Sequence, residues 1–250
     1  MAPAYAKPVA ATADALLGRL ASAPDKAGIL LDFDGVLAPI VPLRADAAVP
    51  PETLAELRRL AGRYALVGVI SGRSADDVRA RLDLAGVAIV GSHGLELSPQ
   101  AAEWQDAIDD FAAAAAWPPD DTEVKGPSVT FHYRAAADEA SAVAQLEELA
   151  ARAAGEGLVA RFGRKVLEVL PPVDANKGTA VRALLAGAGL TRALVAGDDS
   201  TDLDAFAAVD DLDLAVRVAV LSDEAPPELR AAADIAVSST AEFLELLRHL

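Results

Sequence analysis

The 250-residue chain contains no cysteine, which excludes disulfides, a cysteine nucleophile and thiolate-ligated zinc. Histidine is scarce. His93, His132 and His249 are the whole complement, too few for a multi-histidine metal centre, so any metal is expected to be a hard, oxygen-ligated one. Aromatic residues make up 4%, which leaves a core of Ala, Val and Leu. Basic residues are outnumbered: 22 Lys and Arg stand against 38 Asp and Glu, a formal charge of −16. That balance argues against nucleic acid as a partner, whose binding needs a basic face, and an anionic substrate would need Lys and Arg gathered locally. No apolar run approaches the ~20 residues of a membrane span, so no membrane partner is expected. The first segment, with Lys7 and an Ala-rich stretch broken by Asp14, makes a poor signal peptide, and a cytoplasmic location is expected.

What is present is enough apolar sequence, 53%, for a main domain with an insert. The chain is organised around Gly28 to Leu37. An apolar run meets Asp32, Asp34 follows two positions later, and Gly35 turns the chain, which reads as a buried parallel strand. In a strand Asp32 and Asp34 share a face while Phe33 points away. Two further apolar runs, Tyr64–Ile70 and Val87–Val90, end in Ser71-Gly72-Arg73-Ser74 and Gly91-Ser92-His93-Gly94. A helix opened by Pro50-Pro51 separates the first run from the second, and one N-capped by Ser74 separates the second from the third. Such alternation predicts a parallel sheet with ligands at the carboxyl ends of its strands. From Ser98 the character changes. A helix over Ala101–Trp117, an alternating strand over Glu123–Arg134, a helix over Asp138–Ala154 and a strand-like stretch over Leu158–Leu170 precede Pro171-Pro172. Arg161, Arg164 and Lys165 read as a basic hairpin turn. The parallel pattern then resumes with a helix from Lys177, a strand over Ala193–Ala196 and the turn Gly197-Asp198-Asp199-Ser200-Thr201-Asp202. The fold class is α/β: a doubly wound parallel-sheet core over residues 1–98 and 172–250, with an inserted α/β unit over 99–171.

Four signals fall at expected strand or helix ends: Asp32 with Asp34, Ser71, Lys177, and Asp198 with Asp202. Two acidic clusters on neighbouring strand ends suit Mg²⁺. A Ser hydroxyl and a Lys ammonium donate to phosphate oxygens, and the combination points to phosphoryl transfer. Taken singly, each has a plainer reading. Ser71 suits a turn, Arg73 a surface pair with Asp76 or Asp77, Lys177 a solvated helix end, and Asp198 and Asp202 an acidic first turn that favours the helix dipole. Likewise, Glu123 and Lys125 suit a cross-strand ion pair, and His93 a satisfied histidine under a glycine turn.

The ordered set resembles the haloacid dehalogenase superfamily of phosphatases. More finely, LDFDGVLAPI, SGRS, GSHGLE, EVKGPSVTFHYR, VLEVLPPVDANKG and GDDSTDLDAF resemble the trehalose-6-phosphate phosphatases. The resemblance implies that Asp32 is the nucleophile, forming an aspartyl-phosphate, and that Asp34 protonates the leaving sugar oxygen and then activates water. It implies Mg²⁺ held by Asp32, the Asp34 backbone carbonyl, Asp198 and Asp202, and the phosphoryl group held by Ser71, Gly72 and Lys177. Glu123, Lys125, Arg134 and Glu168 in the insert match positions that grip the sugar, with Arg73 and His93 as further substrate contacts. The insert corresponds to the family's substrate-covering cap. The implied partners are a small-molecule sugar phosphate and the synthase that makes trehalose 6-phosphate. Leu203 departs from the family's usual Glu, removing any outer-shell support from that side chain. Alternative readings are a phosphatase for sucrose phosphate or phosphorylated glucosyl- or mannosylglycerate, and a non-catalytic sugar-phosphate-binding module.

Overall fold

The computed structural model describes residues 12–163, 165–223 and 225–250. The run entering Asp32 forms strand β1 (Ala27–Leu31), buried along its whole length. Helix α1 (Ala13–Ala21) precedes it, N-capped by Thr12; the Ala-rich sequence suits a helix over Ala11–Ala21, of which Ala11 lies outside the described residues. The alternation then follows as α2 (Pro51–Ala61), β2 (Leu66–Ile70), α3 (Ala75–Leu82) and β3 (Ala88–Val90). Pro51 takes the first position of α2, where no N–H is needed, and the Ser74 side chain accepts from Asp77 N to start α3.

A second group of elements follows: α4 (Pro99–Ala102), α5 (Gln105–Ala113), β4 (Thr122–Val124), β5 (Val129–His132), α6 (Glu139–Gly155), β6 (Val159–Gly163) and β7 (Val166–Leu170). The first pattern then resumes with α7 (Lys177–Gly187), β8 (Arg192–Gly197), α8 (Asp202–Ala207), β9 (Leu214–Val220), α9 (Pro227–Ala232), β10 (Ile235–Val237) and α10 (Thr240–Leu247).

Six strands make one sheet in the order β10-β9-β8-β1-β2-β3, every pairing parallel. The earliest strand lies centrally and the connections leave in opposite directions on its two sides, the doubly wound arrangement. Successive side chains go to opposite faces. Ile29 and Leu31 pack with Leu17, Leu57, Val78 and Phe243 in one layer, while Leu30 packs with Val181, Phe206 and Leu229 in the other. The point where the winding reverses lies between β1 and β8, and there Asp32 N–H donates to Ala196 O at 3.0 Å.

The other sheet, β4-β5-β7-β6, is antiparallel. Its Val129, Phe131, Leu167 and Val169 bury one face against Ile108 and Phe111 of α5 and Leu146 of α6. Where the chain passes between the two sheets, Leu95, Ala101 and Leu170 pack together with Val173 and Ala175.

Two expectations within this second group need correction. The helix expected over Ala101–Trp117 is broken between α4 and α5, because Trp104 turns into the apolar cluster and takes a non-helical conformation ahead of α5. Beyond α5, Ala116 adopts a positive φ and Trp117 donates its indole N–H to His132 O. The strand expected over Glu123–Arg134 is a hairpin turning at Gly126, whose φ is +57°. Alternation shifts phase by one residue across that turn, from Val124 before it to Val129, Phe131 and Tyr133 after it, so one continuous strand could not keep both halves on the same face. Leu158–Leu170 is a second hairpin, as the basic turn expected there implies, with Lys165 in the left-handed region, Arg161 inside β6 and Arg164 outside the described residues.

Candidate active site

Asp32 continues the alternation of β1 toward the α7 side of the sheet, where Lys177 is the first residue of its helix. A capping box between Asn176 and Thr179 fixes that start, aiming the ammonium back at the strand ends. Lys177 Nζ lies 2.8 Å from Asp32 Oδ2 and donates to Asp202 Oδ1 at 2.7 Å. The other Asp202 oxygen accepts the Asp198 and Asp199 N–H groups, each at 3.0 Å, so Asp202 both aims Lys177 and shapes the turn after β8. Glycine is required twice here. A Cβ on Gly197 would lie 2.1 Å from Asp202 Cγ, and one on Gly35, whose φ is +78°, 2.2 Å from an Asp198 oxygen. A side chain at either position would force the acidic residues apart.

Asp32, Asp198 and Asp202 offer carboxylate oxygens within 4.8 Å of one another. None of the three, nor Lys177, is more than 7% exposed. Burial raises the Asp32 carboxyl well above its ordinary value against the Lys177 charge, with Asp202 and Asp198 adding to the rise. Burial alone would lower Lys177, but Asp202 and Asp32 outweigh it and hold the ammonium above its ordinary range. Three carboxylates sharing one ammonium leave two negative charges in excess, which one divalent cation neutralises. The donors are all oxygen, as a hard cation requires. The group can therefore hold a metal.

Ser71 ends β2 and is buried, with Oγ accepting from Arg73 N–H at 3.1 Å. The two-residue period does not fix the direction of Asp34. Strand geometry ends at Leu31, and with it the two-residue period. The Asp34 carboxylate is instead gripped by Arg73, Nε to Oδ2 at 2.7 Å and Nη2 to Oδ1 at 2.8 Å. Arg73 Nη1 donates to Asp77 Oδ2 at 2.8 Å, and the guanidinium lies 5.3 Å above the Phe33 ring. The pairing with Asp77 is thus formed, but its Arg73 side chain is 3% exposed, not on the surface; Asp76 pairs with Arg79.

The antiparallel sheet brings a second polar group to this end of the core. Register places Glu123 opposite Thr130, Thr130 opposite Glu168, and Glu168 opposite Arg161, so the four share one face, away from the α5–α6 side. Lys125 is buried and donates from Nζ to Gly72 O at 3.0 Å, with Glu123 Oε2 at 3.8 Å and Glu168 Oε1 at 4.0 Å. His93 Nε2 stands 3.9 Å from Glu168 Oε2, and its backbone N–H bonds to Ser71 O. Ser92 Oγ donates to Lys125 O at 3.2 Å. Gly72, His93, Glu123, Lys125 and Glu168 are therefore brought together. Arg134 is exposed in the turn that follows β5. His132 pairs with Glu123 at 3.1 Å. Sequence reasoning missed Thr130, which is 2% exposed in the middle of the polar row; only strand register reveals its place. It read Asp77 as a pairing or first-turn acid and gave Arg81 no role.

Leu203 packs against the α7–α8 apolar layer.

The trehalose-phosphatase family model matches residues 30–240. A trehalose-phosphate phosphatase of Mycolicibacterium paratuberculosis is 37% identical over 222 residues, covering 79% of this chain and 53% of that protein. A probable trehalose-phosphate phosphatase of Sinorhizobium fredii is 34% identical over 226 residues, 84% of each. The C-terminal domain of C. albicans trehalose-6-phosphate phosphatase superposes with a TM-score of 0.72 at 22% identity, covering 94% of this chain and 95% of that one, and so supports the fold. The chain spans about half the length, or less, of the mycobacterial relatives it matches. The family match covers β1 through β10 and every site residue above, and on it the chain belongs to the trehalose-phosphatase family.

Proposed function

We propose that this chain hydrolyses trehalose 6-phosphate to trehalose and phosphate, with Mg²⁺, through an aspartyl-phosphate on Asp32. The observation that carries the reading is the buried Asp32–Lys177–Asp202 arrangement, together with the Glu123–Lys125–Glu168 group anchored at Gly72, in a member of this family. Asp32, the Asp34 backbone carbonyl, Asp198 and Asp202 are the residues that would hold Mg²⁺, which when bound supplies positive charge against the transferring phosphoryl oxygens. An Asp32 oxygen attacks phosphorus; the new O–P bond forms as the bond from phosphorus to the sugar oxygen breaks. Asp34 gives that oxygen its proton and later takes one from the water that attacks phosphorus, releasing phosphate and restoring Asp32. Ser71 and Gly72 orient the phosphoryl oxygens, and Lys177 adds a point charge beside them.

Residues 99–171 serve as a cap. Glu123, Lys125 and Glu168, with His93 and Arg134, bind sugar hydroxyls, and paired acceptors and donors of this kind distinguish a disaccharide ester from a plain one. The cap moves against the core at Ser98-Pro99 and Pro171-Pro172, enclosing the sugar. We place the chain in the cytoplasm, beside the synthase that makes its substrate. The test is phosphate release from trehalose 6-phosphate, sucrose phosphate, glucosylglycerate phosphate and glucose 6-phosphate, with Mg²⁺ and with chelator. Preference for the trehalose ester, abolished by chelator, is the expected result; equal rates on all four, or on none, would refute the substrate assignment.

A further inference from the structure

We propose that Arg73, Asp77 and Arg81 form a positioning chain for Asp34 and so set how well the site expels a poor leaving group. The inference rests on the reading of Asp34 as proton donor. Asp34 lies outside the buried carboxylate group and past the end of β1, where its backbone forms a single isolated bridge to Ala38 and Arg73 holds its side chain. Its two bonds to Arg73 run from adjacent nitrogens of one planar fork to the two oxygens of one carboxylate, a geometry that fixes the carboxylate plane as well as its position.

The fork is itself held. Phe33 lies beneath it, and its remaining edge binds Asp77 Oδ2. The second Asp77 oxygen accepts from Arg81 Nε at 2.9 Å. Arg81 Nη1 donates in turn to Ala45 O at 3.1 Å and to Ala47 O. Ala45 and Ala47 belong to the loop that starts at Asp34, so the contacts close a circuit: Asp34, Arg73, Asp77, Arg81, the loop, and back to Asp34. Arg73, Asp77 and Arg81 are each held by the next member, and Asp34 is oriented through Arg73. Two of the links join residues of α3 and the turn before it, which makes that helix a support for the proton donor.

A proton donor matters in proportion to how poorly the alcohol leaves. An aryl oxygen of low basicity departs without a proton, while an alkyl oxygen such as a sugar hydroxyl does not. The experiment is therefore kcat/KM for 4-nitrophenyl, phenyl and benzyl phosphate in wild type, Asp34→Asn, Arg73→Gln, Arg73→Lys and Asp77→Asn. This parameter includes steps only as far as release of the alcohol. Loss of folded protein scales all three esters equally, so a change in their ratio isolates positioning. Arg73→Gln should lose about 10²-fold on the benzyl ester and under ~10-fold on the nitrophenyl ester, following Asp34→Asn. Asp77→Asn should move the ratio the same way by less, and Arg73→Lys should not restore it, because a point charge cannot replace the fork. If Asp34→Asn steepens the leaving-group dependence while Arg73→Gln and Asp77→Asn lower all three esters equally, the positioning chain is refuted and the proton-donor role stands. If Asp34→Asn leaves the ratio at its wild-type value, the proton-donor role fails and this inference falls with it.

Discussion

The two sheets handle charge in opposite ways. At the carboxyl edge of the parallel sheet, Asp32, Lys177 and Asp202 are buried and joined by contacts of 2.7 to 2.8 Å, in positions set by a strand end, a capping box and two glycines. On the antiparallel sheet, Glu123 and Glu168 are spread over separate strands, partly exposed, and meet Lys125 only at 3.8 to 4.0 Å. Tight, dry pairing suits chemistry performed identically at every turnover. Looser polar spacing suits hydroxyl groups that must enter between donors and acceptors. On the proposed function, the first region would hold the reacting phosphorus and the second would read what is attached to it.

Asp32→Asn should break the comparison most completely. Removing the proposed nucleophile should cut turnover of every phosphate ester by roughly 10⁴-fold or more, measured by phosphate release under saturating substrate. Lys177→Met comes next and tests stability. It leaves Asp32, Asp198 and Asp202 buried together without their ammonium, and breaking a buried pair in this way costs about 3–5 kcal/mol. Thermal melting should show that loss, with Mg²⁺ recovering part of it. Glu168→Gln sharpens the contrast, for it should lower kcat/KM for trehalose 6-phosphate by roughly 10- to 100-fold while leaving a small aryl phosphate within about twofold of wild type.

The smallest effect concerns Asp77. Burial raises its carboxyl, but the hydrogen bonds and charges of Arg73 and then Arg81 outweigh this and hold it below the ordinary 3.8. A carboxylate depressed on folding adds stability above its unfolded value and loses it as pH falls through the folded one. The gap in melting temperature between wild type and Asp77→Asn should therefore be constant at neutral pH and close as pH falls below about 4. A gap that persists unchanged at lower pH would show that the depression contributes nothing.

The parallel sheet was legible because its signals are local. Each chemical residue follows an apolar strand or opens a helix, so Asp32, Ser71, Lys177 and Asp198 could be placed from their neighbours alone. The antiparallel sheet was legible only in outline. Its hairpin at Gly126 shows in Glu123–Arg134 only as a one-residue shift in the phase of the alternation, and the cross-strand row through Thr130 depends on register that no single segment encodes. The Trp104 break depends on packing against partners distant in sequence. Asp34 fell between the two cases. Its presence was plain, but its direction is set by Arg73, 39 residues away in the chain, and not by the strand it follows.

The most direct test of a division between chemistry and recognition is one paired assay. Asp32→Asn and Glu123→Gln are compared with wild type on trehalose 6-phosphate and on 4-nitrophenyl phosphate. The account predicts that Asp32→Asn loses both activities while Glu123→Gln loses only the disaccharide ester. Equal loss on both esters in Glu123→Gln would contradict it, placing the antiparallel sheet within the chemistry itself.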